Sequence, residues 1–200
     1  LLKFPAQIRG YYARNPVIMS LFDDVLVFAP DGQLIADFPE LHARKALNTA
    51  DRAFFRQVLA TRRPVISEPV ISKTRREPII QMAAPILNSE GHLAAVAVGV
   101  IRLYKPNFLG NLGDTKIGKT GYFSLLTKGA QAVYIAHPDK ALILQPRPPE
   151  TPPAVARALD GFDGSAEGIS HQLASALFTS KSLRMAPWVL IAIAPTDEVF

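Results

Sequence analysis

The stretch that decides the fold is residues 51–103, DRAFFRQVLATRRPVISEPVISKTRREPIIQMAAPILNSEGHLAAVAVGVIRL. Asp51 is a candidate N-cap, because a carboxylate there can accept a hydrogen bond from an otherwise orphaned helix amide. Phe54, Phe55, Val58 and Leu59 recur at helical spacing, and Pro64 forbids continuation. A short strand follows. Residues 79–87 and 93–103 are apolar with several β-branched side chains, which suits partly buried strands. Asn88-Ser89-Glu90-Gly91 closes them into a hairpin. A capped helix feeding antiparallel strands predicts an α+β fold.

Working outward, the chain runs through the same plan twice, which points to an internal repeat. Val25-Leu26-Val27-Phe28 runs into Pro30-Asp31-Gly32 and then residues 33–38, and Asp-Gly between apolar runs is a strong hairpin signal. Residues 122–127, Lys128-Gly129 and residues 132–136 repeat that arrangement. Each hairpin leads through a loop to a short helix, expected at residues 51–60 and 152–159, and then to a strand pair, residues 79–103 and 173–194. Phe162-Asp163-Gly164-Ser165 reads as a separator. Residues 104–118, with Pro106, Gly110, Gly113 and Gly118, have room for only a short helical turn and form the expected bridge. Residues 145–153 carry Pro146 and four further prolines and read as an ordered surface loop. At the front, Ile8, Tyr11, Tyr12, Ile18 and Leu21 suggest a helix with an apolar stripe, interrupted and restarted at Asn15-Pro16. The expected division is an N-terminal helix at 1–22, lobes at 23–105 and 106–196, and the start of an exit helix at 197–200.

A hydrophobic share of 48% supplies a packed core, and 20% charged residues argue against disorder. No apolar run approaches the length of a membrane span, and Lys3, Pro5, Arg9, Arg14 and Pro16 break any signal-peptide pattern. The sequence begins without Met and stops without a terminator, as expected of a segment cut from a longer protein. With no cysteine there are no disulfides and no thiolate metal sites, a composition compatible with an oxidising compartment. The net charge of +5 is scattered, with Arg62-Arg63 and Arg75-Arg76 the only adjacent arginine pairs and no interleaved aromatics. Solvated surface charge, not nucleic-acid binding, is the reading.

Gly113-Asp114-Thr115-Lys116-Ile117-Gly118-Lys119-Thr120 satisfies the phosphate-loop pattern G-x-x-x-x-G-K-[ST]. That loop needs a buried strand before it and a helix after it, so that backbone amides converge on phosphate. Here Pro106, Asn107 and Gly110 precede, and the aromatic run 121–127 that follows reads as a strand. The match is taken as coincidental. His42, His92, His137 and His171 show no metal-ligand spacing, and the turn His137-Pro138-Asp139 suits backbone hydrogen bonding. No nucleophile elbow is present, Asp23-Asp24 reads as a helix-to-strand cap, and no catalytic residue, cofactor or metal is expected.

Candidate ligand contacts lie in the opening segment. Arg52 offers a rigid fork of donors for a carboxylate or phosphate, and Phe54 and Phe55 offer apolar or cation-π walls. Core packing explains Phe55 equally well. Gln81 is polar inside an apolar strand, so it faces a cavity or bonds a neighbour. Ser67, Ser72 and Arg102 are weaker candidates of the same kind.

The residues 21–28 with Asp31-Gly32, the helix start Asp51-Arg52-Ala53-Phe54-Phe55, and the strand pair from Pro78 through Pro85-Ile86 resemble the distal lobe of double Cache domains. Ile117-Gly118-Lys119-Thr120-Gly121-Tyr122, His137-Pro138, Trp188-Val189-Leu190 and Pro195 are similar to that family's second lobe. The resemblance implies a long N-terminal helix followed by two PAS-like lobes, each a central antiparallel sheet flanked by helices. It also implies a periplasmic sensor between two membrane spans, a parallel homodimer joined by that helix, and a small-molecule ligand in the distal lobe. In detail it is most like sensors of GGDEF diguanylate cyclases, which control cyclic-di-GMP; chemoreceptors and histidine kinases use the same module. A ligand-free structural or dimerisation module is the alternative from another class.

Within the amino-acid-sensing branch, an Arg and aromatics at the helix start grip the ligand carboxylate and an acidic residue on the last distal strand holds the amine. Arg52, Phe54 and Phe55 match the first part. Val98-Gly99-Val100-Ile101-Arg102 lacks the acid, and Glu68-Pro69-Val70-Ile71-Ser72 lacks the usual Tyr. The expected ligand is therefore a small carboxylate or other anion, contacted by Arg52, Phe54, Phe55, Ser67, Gln81 and Arg102.

Overall fold

A computed structural model describes residues 5–148, 150–170 and 174–199. His171 and the predicted strand start at Leu173 lie outside these residues, as do the first four residues and Phe200. The chain divides after Arg102 into two compact units.

The first unit opens with two short helices, α1 (Pro5–Ala13) and α2 (Pro16–Leu21), divided at the expected Asn15-Pro16 interruption, where the family resemblance implied a long helix. Pro16 has no amide to continue the ladder, and Asn15 before it sits at φ −120°, ψ 73°, outside the helical region. Strands β1 (Asp24–Phe28) and β2 (Leu34–Phe38) form the Asp31-Gly32 hairpin. Helix α3 (Ala53–Thr61) follows, then β3 (Val65–Ile66), β4 (Val70–Ile71), β5 (Pro78–Leu87) and β6 (Leu93–Arg102). The all-antiparallel sheet has the order β2-β1-β6-β5-β3, with β4 also on β5.

Alternation along the strands sends Leu26, Phe28, Ile79, Ala83, Val96 and Val98 to one face, where Phe54, Phe55 and Val58 of α3 meet them. Phe55 is fully buried and packs edge-on against Phe28 at 6.1 Å. Burial of such a side chain contributes roughly 2–3 kcal/mol. The opposite face carries Val27, Ala36 and Ala95, covered by Ile8 of α1.

The second unit contains α4 (Phe108–Asp114), β7 (Lys116–Ile117), β8 (Gly121–Thr127), β9 (Tyr134–Ala136), α5 (Pro153–Leu159), β10 (Gly164–Ile169), β11 (Ser175–Ser182), β12 (Trp188–Pro195) and α6 (Thr196–Val199). Its sheet runs β10-β11-β12-β8-β7, with β9 on β8. Replacing β8, β9, β10, β11 and β12 by β1, β2, β3, β5 and β6 reproduces the first unit's strand order. Two PAS-like lobes with central antiparallel sheets are therefore present. Ala154, Val155, Ala158 and Leu159 of α5 pack on Phe178, Val189, Ile191 and Ile193.

Two local expectations are corrected. Residues 164–169 form the edge strand β10, which takes in Gly164-Ser165 of the expected separator, because Gly164 to Ile169 pair in register with Ser180 to Ser175. Helix α3 begins after Arg52, which stays extended as the N-cap and makes no side-chain cap bond, while Asp51 turns outward to Lys73 Nζ at 2.9 Å. The phosphate-loop-like residues end a helix and enter a strand, the reverse of the order that loop requires. Among the described residues no helix is long and apolar enough to cross a membrane.

Candidate functional site

Strand alternation places Asp24 of β1 and Gln81 of β5 on the α3 side of the first sheet, each paired in register with Val100 of β6 between them. Asp24 is wholly buried and lies between two guanidinium groups. Arg44 Nη2 stands 2.8 Å from Asp24 Oδ2, while Arg75 donates from Nε to Oδ2 at 3.0 Å and from Nη2 to Oδ1 at 2.7 Å. That bond to Asp24 raises the Arg75 pKa still further. Arg44 also approaches the buried Asp37 carboxylate at 3.5 Å, and Asp37 accepts the Leu41 amide at 2.9 Å. A buried charge persists only when paired and hydrogen-bonded, and this cluster meets that condition. It lines an inner void of about 40 Å³ that Arg52 and Gln81 also border.

Arg52 and Gln81 then border a second, larger cleft of about 380 Å³. One wall is the start of α3, with Arg52, Phe54, Arg56 and Gln57; the other is the segment carrying Ser67, Glu68 and Val70. The helix start supplies cationic donors at the mouth because Arg52 is the cap position, with its side chain unused for capping. Glu68 lines the same cleft. Asp51 also reaches the rim, but Lys73 binds both of its oxygens at 2.9 Å and holds its carboxyl below the usual range.

Four of the six residues expected to contact ligand, Arg52, Phe54, Ser67 and Gln81, come together at this cleft, and Ser72, a further candidate, borders the inner void. The Ser67 hydroxyl is largely committed to backbone, accepting the Gln81 amide at 3.0 Å and donating to the Glu68 carbonyl at 2.8 Å. Phe55 lies in the core beneath, fully buried. Arg102 is placed elsewhere: its guanidinium pairs with Glu77, and its amide donates to Asp23 at 2.7 Å. Sequence reasoning missed Asp24, Asp37, Arg44 and Arg75. The only signal was an acidic pair opening an apolar strand, and that pattern equally suits a cap.

The sequence profile of the Cache domain family matches residues 3–200, nearly the whole chain. The chain belongs to the Cache domain family. It is a Cache sensor domain and is not itself a catalyst; in chemoreceptors such domains are extracytoplasmic sensors. Solved structures share its fold. The ligand-binding domain of the Pseudomonas fluorescens chemoreceptor CtaA, in complex with L-serine, is 19% identical, with TM-score 0.70 over 97% of this chain and 81% of that one. The Pseudomonas aeruginosa chemoreceptor PctB domain with L-Gln is 16% identical, with TM-score 0.68 over 98% and 77%. The PctC domain of the same organism, with GABA, is 22% identical, with TM-score 0.62 over 89% and 76%.

Proposed function

We propose that this Cache domain is the periplasmic ligand-sensing input of a membrane-anchored bacterial signalling protein, and that it binds a small carboxylate in the cleft between α3 and β3–β5. The observation that carries this is Arg52, a guanidinium at a helix start that makes no cap bond and lines a cleft walled by Phe54, Ile66 and Val70 together with polar side chains. An Arg fork is suited to bidentate recognition of a carboxylate. The chemoreceptor likenesses favour a chemoreceptor output over the diguanylate cyclase suggested by sequence detail. Exposed Tyr11, Val17 and Leu21 on α1 and α2 support pairing of two copies through that segment.

A second reading rests on Glu68. Its carboxylate lines the same cleft as Arg52, so an amino acid or ω-amino acid would find a partner for each of its charges. This acid comes from the β3–β4 connection, not from the last strand. A calorimetric screen of small carboxylates against matched amino acids tests both. Binding that Arg52→Ala leaves unchanged removes Arg52 from the site, and binding of amino acids that Glu68→Gln leaves unchanged removes the second reading.

A further inference from the structure

We propose that the second unit holds a ligand site of its own, an aromatic-walled cavity between α4, β8 and β9 that takes a small organic cation with an apolar body. The cavity is about 600 Å³, larger than the Arg52 cleft and within the range that encloses a small molecule. It shares no residue with that cleft and does not depend on its role.

Three rings form its wall. His137 meets Tyr122 at 5.3 Å and 76°, and Tyr134 at 5.2 Å and 69°, so faces and edges are set at near right angles around one space. The His137 ring is oriented by the Asp139 amide, which donates to its Nδ1 at 3.0 Å. Burial raises the Tyr122 and Tyr134 phenols above their ordinary pKa, so both rings remain neutral. Neutral aromatic faces attract a cation through their quadrupole, most strongly where water is partly excluded.

A fixed carboxylate points the same way. Asp114, Lys116 and Asp139 line the cavity. Asp114 is already matched by Lys140 at 3.1 Å, whereas Asp139, whose Oδ1 accepts the Ala141 amide at 3.0 Å, makes no ion pair among the described residues. Behind the same three rings lies a void of about 20 Å³ bordered by Ser124. The Ser124 hydroxyl, 3% exposed, has no hydrogen-bond partner among the described residues. A buried polar group awaiting a partner thus lies next to the cavity wall. Thr120 also lines the cavity, and its hydroxyl donates to Glu198 of α6 at 2.7 Å. An occupant touching Thr120 is one hydrogen bond from the end of the chain.

The test uses three probes with one body and different charge: phenethylamine, phenylethanol and phenylacetate, titrated into the whole chain and followed by amide chemical shifts. Phenethylamine is expected to bind best and to shift residues 113–142. Asp139→Asn should weaken it about fivefold, Lys116→Ala should strengthen it, and Arg52→Ala should leave it unchanged. Equal binding of the three probes, preference for phenylacetate, or an absence of shifts at 113–142 overturns the proposal. So does an amine affinity that neither the Asp139 nor the Lys116 substitution alters.

Discussion

Asp24 and Arg44 are joined at 2.8 Å with side chains 0% and 3% exposed, forming the centre of the first unit's buried ionic cluster. Asp24 is shared with Arg75, so removing it leaves two guanidinium groups without their main partner. Breaking such a pair from one side leaves a buried uncompensated charge. Asp24→Ala is therefore expected to cost about 3–5 kcal/mol in urea unfolding, and a loss below about 1 kcal/mol would contradict the cluster's role.

Arg52 and Arg102 should part company. Arg52 makes no cap bond, so Arg52→Ala should barely change unliganded stability while weakening carboxylate binding by about tenfold or more, roughly 1.4 kcal/mol. Arg102→Ala breaks the pair with Glu77 and should lower the melting temperature without changing binding measured well below that temperature. Isothermal calorimetry beside thermal unfolding separates the two effects.

Gly113 and Lys119 test the phosphate-loop resemblance. A Cβ on Gly113 would stand 2.7 Å from the His137 carbonyl oxygen, so the glycine permits α4 to approach that backbone. Gly113→Ala should cost about 1–3 kcal/mol. Lys119 is exposed at a turn, and Lys119→Ala should leave stability unchanged, with neither protein turning over ATP or GTP. Hydrolysis by the unsubstituted chain that Lys119→Ala abolishes would reverse this reading.

Glu198 fastens α6 to the β7–β8 turn. Its carboxylate accepts the Thr120 hydroxyl at 2.7 Å and the Lys119 and Thr120 amides at 2.6 and 3.2 Å, and a Cβ on Gly118 would collide with it. The Thr120 hydroxyl first, then the Lys119 amide, hold its carboxyl below the usual carboxylate range. A depressed folded-state pKa means that the contact is present above that range and is lost as pH falls through the lowered value. The protection factors of the Lys119 and Thr120 amides, taken against their intrinsic exchange rates, should fall on acidification, and Glu198→Gln should abolish much of that pH dependence.

Much of the fold was legible because its signals are local. Asp31-Gly32 and Asn88-Ser89-Glu90-Gly91 mark hairpins by turn chemistry, and Asn88 Oδ1 accepts the Glu90 and His92 amides within its own turn. Pro16 marked the helix break. Strand β10 was not legible, since Gly164 and Gly168 lower its strand propensity and only pairing with β11 defines it. Of the site, Arg52 could be singled out from the helix start that resembles the family's, and Gln81 as a polar residue inside an apolar strand. Glu68 and the Asp24 cluster could not: Asp24 and Arg75 are 51 residues apart, and no local pattern links them.

By itself the sequence determined the α+β class, the twofold repetition of one lobe plan and the family, because periodicity, turn residues and motif order are carried along the chain. Only the tertiary structure decided which charges are spent and which remain available. Arg102 is committed to Glu77, Asp51 to Lys73 and Asp24 to two arginines, whereas Arg52 borders a cleft that Glu68 also lines. Ion pairing and cavity formation depend on distances between chain segments, and those exist only once the sheets have brought the segments together.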